Sequence, residues 1–309
     1  MVDIHADDYA LTVNTSKEML ELMKDGIFDS ISIIPNSSCH DECIDILCEN
    51  IPTLPYLPKM SVHLNLVEGI SLSDNDGSLI DTTWKSLFFA SYIPVFGTRI
   101  RKRIRSEINC QIRKCMDSID KCISAARAAD IPCDQKKIRI DSHQHTHMIP
   151  IVRRALFECI AENGYETEYI RNSKEPLWPF LSMLSLVGSY RVVNMIKNRL
   201  LYAFSGRIDR NAARAGHRPM FLWGLVMSGR MDEDRITKLY PCVTAYAKKH
   251  GRDIEILFHP GKMGTYEICP EIPQNAADEF YLSVNRDAEK AGARRCRMLV
   301  ISDNAGRDS

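Results

Sequence analysis

The sequence lacks the features that would set it apart from ordinary globular chains. Its 40 Lys and Arg residues balance its 40 Asp and Glu residues, so no overall field draws it to nucleic acid or to a membrane surface. The 11 cysteines are odd in number and include no Cys-x-x-Cys pair, so free thiols in a reducing cytoplasm fit better than a disulfide framework. No signal peptide is expected, since a polar motif begins at His5.

Long apolar runs are also absent. The most apolar stretch, residues 177–204, is interrupted by Arg191, Lys197 and Arg199, and we expect a long amphipathic helical segment there instead of a membrane span. A basic run at 99–105 lies opposite a stripe of isoleucines and is typical of a solvated helix face, because it has no aromatic side chains on which bases could stack. We therefore expect neither nucleic acid nor membrane as a partner.

Short apolar runs alternate with segments of helical periodicity along the whole chain. Strands are predicted at 2–5, 30–34, 61–66, 138–141, 168–171, 221–224, 254–258 and 298–302. Helices are predicted from a capping box at 15–18 and over 39–49, 100–123, 150–164 and 232–249. This alternation indicates a parallel sheet covered by helices. Roughly eight strands in a chain of this length predict an α/β fold, a TIM-like (β/α) barrel that is closed or incompletely closed and carries helical insertions.

Three of the nine histidines occupy alternate positions in the string Asp141-Ser142-His143-Gln144-His145-Thr146-His147. If the preceding strand continued, these imidazoles would share one face. A histidine must satisfy two ring nitrogens, and neutral imidazole is the commonest metal ligand. The spacing therefore favours a metal or catalytic site over a structural cluster.

Two adjacent carboxylates follow the first strand in His5-Ala6-Asp7-Asp8-Tyr9. Neighbours in an extended chain point to opposite faces, so the two cannot play one role. One can ligate a cation while the other accepts a proton from water. An acidic turn or a helix N-cap is the alternative interpretation.

A third motif, Ser61-Val62-His63-Leu64-Asn65-Leu66, alternates as a strand does and places His63 on the polar face. Alone, a histidine such as His63 is more often a buried, hydrogen-bonded side chain than a metal ligand. With Asp8 and His143 it completes a set of two histidines and one carboxylate, which leaves open positions for water and substrate. All these residues lie at the carboxyl ends of predicted strands, where barrel enzymes build their sites.

At this point the sequence resembles the YdjC-like carbohydrate deacetylases. The matching motifs, in order, are His5–Tyr9, Val62–Leu66, Asp141–Met148 and Leu257–Gly261. The resemblance implies a barrel-like α/β fold, one divalent cation bound by Asp8, His63 and His143, and removal of N-acetyl groups from amino sugars in small oligosaccharides.

The sequence departs from the family pattern at several points. Ala10 replaces a usual glycine, and Arg139 replaces a common histidine. The chain is also longer than typical members, with extra sequence near 75–105 and 176–218. We interpret residues 1–309 as one barrel-type deacetylase domain with insertions near 69–97 and 176–218. These departures affect the expected substrate more than the expected reaction.

The residues divide into expected chemical roles. Asp7 is placed to act as general base, next to the ligand Asp8. His259, which the resemblance singles out, is expected to protonate the leaving nitrogen, although a His-Pro pair at a strand end is often only a turn. His147 is the alternative acid or an oxyanion partner.

Three further residues are expected to contact substrate or support the ligands. Asp141 is expected to orient a ligating imidazole through its second nitrogen, and His145 to share the ligand face or support it. Arg171 follows a predicted strand and is expected either to hold sugar hydroxyls or the acetyl oxygen, or to form a surface ion pair.

The resemblance favours Mg²⁺ as the cation, with Zn²⁺ next. The expected partner is a small N-acetylated sugar; a homodimer is left open, and the expected location is the cytoplasm. Two other functions stay open, namely another mononuclear metal-dependent amidohydrolase and an inactive metal-dependent sugar-binding protein. A binuclear hydrolase fits less well, because no His-x-His pair lies near the first strand.

Overall fold

The computed structural model describes residues 1–74 and 76–305, apart from the side chains of residues 94–97, 184, 187 and 189, and within these ranges seven strands form one sheet. The strands are β1 (Val2–Tyr9), β2 (Ser30–Ile33), β3 (Lys59–Leu64), β4 (Ile138–Ser142), β5 (Thr167–Ile170), β6 (Met220–Trp223) and β7 (Asp253–Phe258). They correspond to the first seven of the eight predicted strands.

All seven strands run parallel, in the order β5-β4-β3-β2-β1-β7-β6. The sheet curls so that its edge strands β5 and β6 approach each other, and the Leu222 N–H donates to the Lys174 carbonyl across the gap at 3.1 Å. Within the described ranges no ladder of hydrogen bonds joins these edges. The fold is therefore an incompletely closed TIM-like barrel, as predicted.

Helices flank the sheet. They are α1 (Val13–Lys24), α2 (His40–Asn50), α3 (Trp84–Ala90), α4 (Pro94–Ala128), α5 (Pro150–Asn163), α6 (Trp178–Ser182), α7 (Val192–Arg214), α8 (Glu233–Lys249), α9 (Gln274–Ala276) and α10 (Asn285–Ala305). The strands supply mostly buried residues on both faces, as expected for parallel strands covered on both sides. No helix in the described part of the chain has the length and apolar character to cross a bilayer.

Several predicted elements need correction. Residues 298–302 form part of α10, where Val300 is buried and Met298 and Ile301 are exposed, so this apolar run belongs to a one-sided helix and not to an eighth strand. Helix α1 begins earlier than the predicted capping box, because the Thr12 hydroxyl accepts from the Thr15 N–H as N-cap. The amphipathic segment at 177–204 is divided into α6, a short turn and the first half of α7.

The order of the strands places the site. Strand β3 lies beside β4, and β1 lies beside β7. In a parallel sheet the carboxyl ends of all strands meet at one edge. The motifs that end β1, β3, β4 and β7 therefore converge there.

Candidate metal centre and active-site cavity

Asp8, His63 and His143 come together at this edge, with all three side chains buried. Asp8 Oδ1 lies 3.6 Å from His63 Nε2 and 3.1 Å from His143 Nδ1. One ligand atom from each residue lies within 4.8 Å of the others. Metal–ligand bonds are about 2.0–2.2 Å long, so a single cation can reach all three atoms.

The environment of His63 fits a metal ligand. Its Nδ1 is hydrogen-bonded to Asp141 Oδ1 at 2.6 Å, while its buried Nε2 has no hydrogen-bond partner among the described residues. A buried polar atom without a partner costs free energy, and a cation at this position would remove that cost. A carboxylate on the second nitrogen is the usual support of a metal-bound imidazole, which is the place expected for Asp141.

His143 is oriented by two residues that the sequence did not single out. Its Nε2 lies 2.9 Å from the Tyr281 hydroxyl, which in turn donates to Glu68 at 2.7 Å. Burial lowers the pKa of His143, but the carboxylates of Glu68 and Asp8 outweigh burial and raise this pKa to about 10. The carboxylates of Glu68 and Asp8 therefore favour a positive charge at this centre.

The chain turns sharply after β4, so the three alternate histidines do not share one strand face. Residues His143–Met148 form tight helical turns in which Gln144 and His145 have φ of 51° and 59°. The expected continuation of the strand is wrong, because these left-handed residues reverse the backbone. His145 Nδ1 consequently lies 3.0 Å from Ser173 Oγ, and burial lowers the pKa of His145 well below its usual range.

His147 has both ring nitrogens engaged. Its Nδ1 lies 2.5 Å from Ser142 Oγ, and its Nε2–H donates to the Arg171 carbonyl at 2.8 Å. Burial lowers the pKa of His147 to about 4, so the ring is neutral near pH 7. This geometry ties the turn after β4 to the end of β5 and leaves no ring nitrogen free to act as an acid.

The alternative of a surface ion pair is wrong for Arg171, whereas a contact of Arg171 with sugar hydroxyls or the acetyl oxygen stays a prediction. Its side chain is fully buried, since it follows β5 on the inner side of the barrel. The guanidinium donates to both Asp7 oxygens at 2.8 Å and to Glu255 at 2.6 Å. Burial raises the pKa of Asp7, but Arg171 and the nearby imidazoles outweigh it and hold this pKa well below the usual range. Asp7 is therefore an ionised acceptor at neutral pH.

His5, Asp7 and Asp141 form a second cluster whose ligand atoms are also close together. In this cluster the two nitrogens of His5 each lie 2.6 Å from a serine hydroxyl, Ser30 or Ser32. Arg171 is paired with Asp7 and Asp141, so both carboxylates and both ring nitrogens of this cluster already have partners, whereas His63 Nε2 in the first cluster has none among the described residues. The structure therefore favours one metal position over a binuclear centre.

The other oxygen of Asp8 is held by Arg286 of α10, at 2.6 Å from Nη2. The same guanidinium donates from Nε to the His259 carbonyl at 3.0 Å, and the His259 N–H donates to Glu289 at 2.6 Å. His259 Nε2 lies 4.0 Å from Asp7 Oδ2. The α10 residues therefore hold His259 beside the general-base candidate, and nothing in the local sequence signalled Arg286 or Glu289.

A cavity of about 250 Å³ opens above these residues. Its lining contains Asp7, His63, His143 and His259. The other lining residues are Glu68, Gln144, His145, Lys197, Ser228, Asn275, Ala276, Glu279, Phe280 and Tyr281. Ligand cavities of about 300–1,000 Å³ are usual, so this one is small and suits one sugar ring.

Comparison with known proteins agrees with this architecture. A search of solved structures finds the crystal structure of a "putative cellobiose-phosphate cleavage protein" from Enterococcus faecalis V583, with a TM-score of 0.54 and 16% identity over 98% of this chain and 94% of the other. At this identity the likeness shows the fold alone. A search of curated proteins finds no match.

The family assignment depends on a different comparison. The family model described as YdjC-like protein matches residues 1–122 and 136–292, which include every motif discussed above. The resemblance stated from the sequence is confirmed. The chain belongs to the YdjC-like family, whose members are in general carbohydrate deacetylase-like.

Proposed function

We propose that this protein is a metal-dependent hydrolase that removes an N-acetyl group from an amino sugar of a small oligosaccharide. The observation that carries the proposal is the buried, unpartnered Nε2 of His63, which faces Asp8 and His143 beside a cavity of sugar-ring size. Most buried ring nitrogens have a hydrogen-bond partner, and a cation between Asp8 and His143 would supply one for this nitrogen.

Asp8, His63 and His143 would hold the cation. When bound, a divalent cation supplies a Lewis acid that polarises the acetyl carbonyl and lowers the pKa of water. We favour Mg²⁺ on the family resemblance, with Zn²⁺ next, since two imidazoles and a carboxylate suit either ion.

Asp7 would accept the proton of the attacking water. Its two oxygens are fixed by Arg171, and its carboxylate borders the cavity beside His63. The Arg171 guanidinium keeps Asp7 unprotonated at neutral pH, which a general base requires, and the same contact prevents its rotation away from the water.

His259 would donate the proton to the leaving nitrogen. Its ring borders the cavity, and its buried Nδ1 has no hydrogen-bond partner among the described residues, although a Glu289 oxygen lies 3.7 Å away. His147 has no free nitrogen for this step. Between the two candidates for the acid, the geometry supports His259.

The small cavity has a consequence for the substrate. One N-acetylated ring fills it, so further sugar units of an oligosaccharide would lie outside it. We therefore expect the acetyl group on a terminal ring to be removed before one on an internal ring.

Mass spectrometry tests the proposal directly. The metal-loaded protein is incubated with a panel of N-acetylated oligosaccharides, and we expect the loss of one acetyl group from at least one of them. Chelation should abolish this loss, and restoring Mg²⁺ or Zn²⁺ should recover it. No deacetylation of any member by protein with stoichiometric metal would contradict the proposal, and an absence of metal binding would contradict its first step.

A further inference from the structure

The insertion at 176–218 places an apolar surface in solvent. Exposed side chains of α6 and α7 include Trp178 at 66%, Val192 at 72%, Val193 at 74% and Ile196 at 64%. Trp178 and Ile196, with Leu181 and Val192, border a surface groove of about 610 Å³. Apolar surfaces of this kind on a folded chain commonly mark a docking site for a membrane or a partner.

The charge around this surface is strongly one-sided. Residues 176–218 contain seven Lys and Arg residues and one acidic residue, whereas the whole chain is balanced at 40 each. Five exposed arginines lie on or beside α7, namely Arg191, Arg199, Arg207, Arg210 and Arg214. The acidic residue, Asp209, is already paired with Lys174 at 2.8 Å and Arg252 at 3.0 Å. No other acidic residue within 176–218 offsets the remaining positive charge of this segment.

The exposed apolar side chains and the local excess of basic residues together indicate the kind of partner that this surface binds. Exposed Val and Ile side chains of α7 and the exposed Trp178 of α6, beside arginines, have the composition of a surface that lies in the interface of an anionic bilayer. Tryptophan favours that interface because its ring is both apolar and polar, and each Lys or Arg near an anionic surface adds attraction. A second copy of this chain would bring the same arginines against each other, so like charges disfavour self-association through this surface.

We propose that the surface formed by α6 and α7 docks this protein on anionic lipid membranes. The zero net charge of the whole chain, from which we expected no membrane contact, hides this local excess. The proposal does not depend on the hydrolase reaction.

The position of the surface relative to the cavity adds a functional consequence. On α7, Ile196 borders the groove, whereas the adjacent Lys197 borders the active-site cavity. Docking through α6 and α7 would thus bring the cavity close to the lipid surface. Substrates held at a membrane would have the shortest path to the site.

Vesicle co-sedimentation of the full chain tests the proposal. We expect binding to mixed phosphatidylcholine–phosphatidylserine vesicles, little binding to pure phosphatidylcholine, and release at high salt because screening weakens the charge term. Val192→Glu combined with Val193→Glu should weaken binding roughly 10-fold or more. Arg191→Gln combined with Arg199→Gln should weaken it roughly 30-fold, since each basic residue contributes about fivefold.

Matched controls come from other exposed positions. Met298→Glu combined with Ile301→Glu on α10, where the side chains are 52% and 59% exposed, introduces the same two charges elsewhere, and Lys102→Gln combined with Arg103→Gln removes two exposed charges from α4. Both should leave vesicle binding unchanged, and circular dichroism should show that all variants are folded.

Three outcomes would overturn the proposal. They are a wild-type chain that does not bind anionic vesicles, a Val192/Val193 variant that binds as well as wild type, and control variants that lose binding equally. Sedimentation of the protein without vesicles tests the remaining alternative, in which a second copy of the chain covers this surface. A wild-type dimer that the Val192/Val193 variant converts to monomer would assign the surface to self-association instead.

Discussion

At the scale of single residues, the backbone conformation directs the two adjacent aspartates of the first motif to different partners. Asp8 has a φ of 72°, a left-handed conformation unusual for a residue other than glycine. This turn directs Asp8 to His63 and His143, while Asp7 faces Arg171 and the cavity. Strained backbone of this kind is found mostly at functional sites, where the surrounding contacts hold it in place.

The two aspartates should therefore respond differently to the same substitution. Asp7→Asn should abolish turnover and leave metal affinity nearly unchanged, because the ligand set is intact. Asp8→Asn should lose both, because it removes the carboxylate from that set. Calorimetric metal titration and a deacetylation assay on the same two variants measure this. If Asp7→Asn loses the metal and Asp8→Asn keeps it, the assigned roles are reversed.

The acid role of His259 has its own residue-scale test. His259→Ala should lower the deacetylation rate on the order of 10²–10⁴-fold, the usual contribution of a positioned acid. The loss should be much smaller for an activated aryl acetate, because a good leaving group needs no proton. The measurement is the ratio of wild-type to His259→Ala rates, determined once with the N-acetylated sugar and once with the aryl acetate. Equal losses on both substrates would remove His259 from the proton transfer.

At the scale of secondary-structure elements, the gap between β5 and β6 is closed by a side chain. Glu175, just after β5, accepts the N–H groups of Gly224 at 2.7 Å, Leu225 at 3.1 Å and Val226 at 2.7 Å. Asn198 of α7 donates to the same carboxylate at 2.9 Å. These bonds replace the missing strand ladder and anchor α7 to the barrel.

Glu175→Ala should consequently destabilise the fold. It leaves three buried N–H groups without acceptors, and each such group costs about 1–3 kcal/mol, so we expect a loss of about 3 kcal/mol or more in the free energy of unfolding. Urea unfolding followed by circular dichroism measures it. Glu166→Ala is the control, because its side chain is 76% exposed and, among the described residues, forms an ion pair only with Lys137 at the surface. A change in Glu175→Ala no larger than in this control would show that the edges are held by other contacts.

At the scale of the whole molecule, the buried charge of Asp141 makes the stability of the sheet depend on pH. Asp141 contacts His63 and lies 3.3 Å from Arg171, so it joins β3, β4 and the end of β5. Burial raises the pKa of Asp141, but the Arg171 guanidinium and the His63 imidazole outweigh it and lower this pKa to about 2. An unfolded aspartate has a pKa of about 3.9.

This lowered pKa sets the direction of the pH dependence. Asp141 contributes stability that is fully present above about pH 4 and is lost as the pH falls through about 2, and the size of this contribution is about 2–3 kcal/mol. In unfolding titrations from pH 7 to pH 2, the stability difference between wild type and Asp141→Asn should therefore shrink on the acid side. A difference that stays constant over the whole range would mean that the charge of Asp141 contributes nothing to the fold.

The sequence alone was sufficient for seven of the eight predicted strands and for the three residues that meet at the candidate metal centre. The reason is local: His63 lies in a run of alternating residues, one position before β3 ends, and Asp8 and His143 come near or just after strand ends. Once strands alternate with helices, a parallel sheet follows, and its carboxyl ends must meet. The apolar run at 298–302 shows the limit, because a short run cannot distinguish a strand from one side of a helix.

Only the tertiary structure decided what each side chain of the site contacts. Tyr281 reaches His143 from 138 positions away, and Arg286 reaches Asp8 from 278 positions away, so neither contact has a local signal. The burial of Arg171 and the two bonds of His147 depend on how the sheet curls and how the chain turns after β4. Local periodicity specifies which residues end a strand, whereas packing between distant segments determines which of them bind, support or remain free.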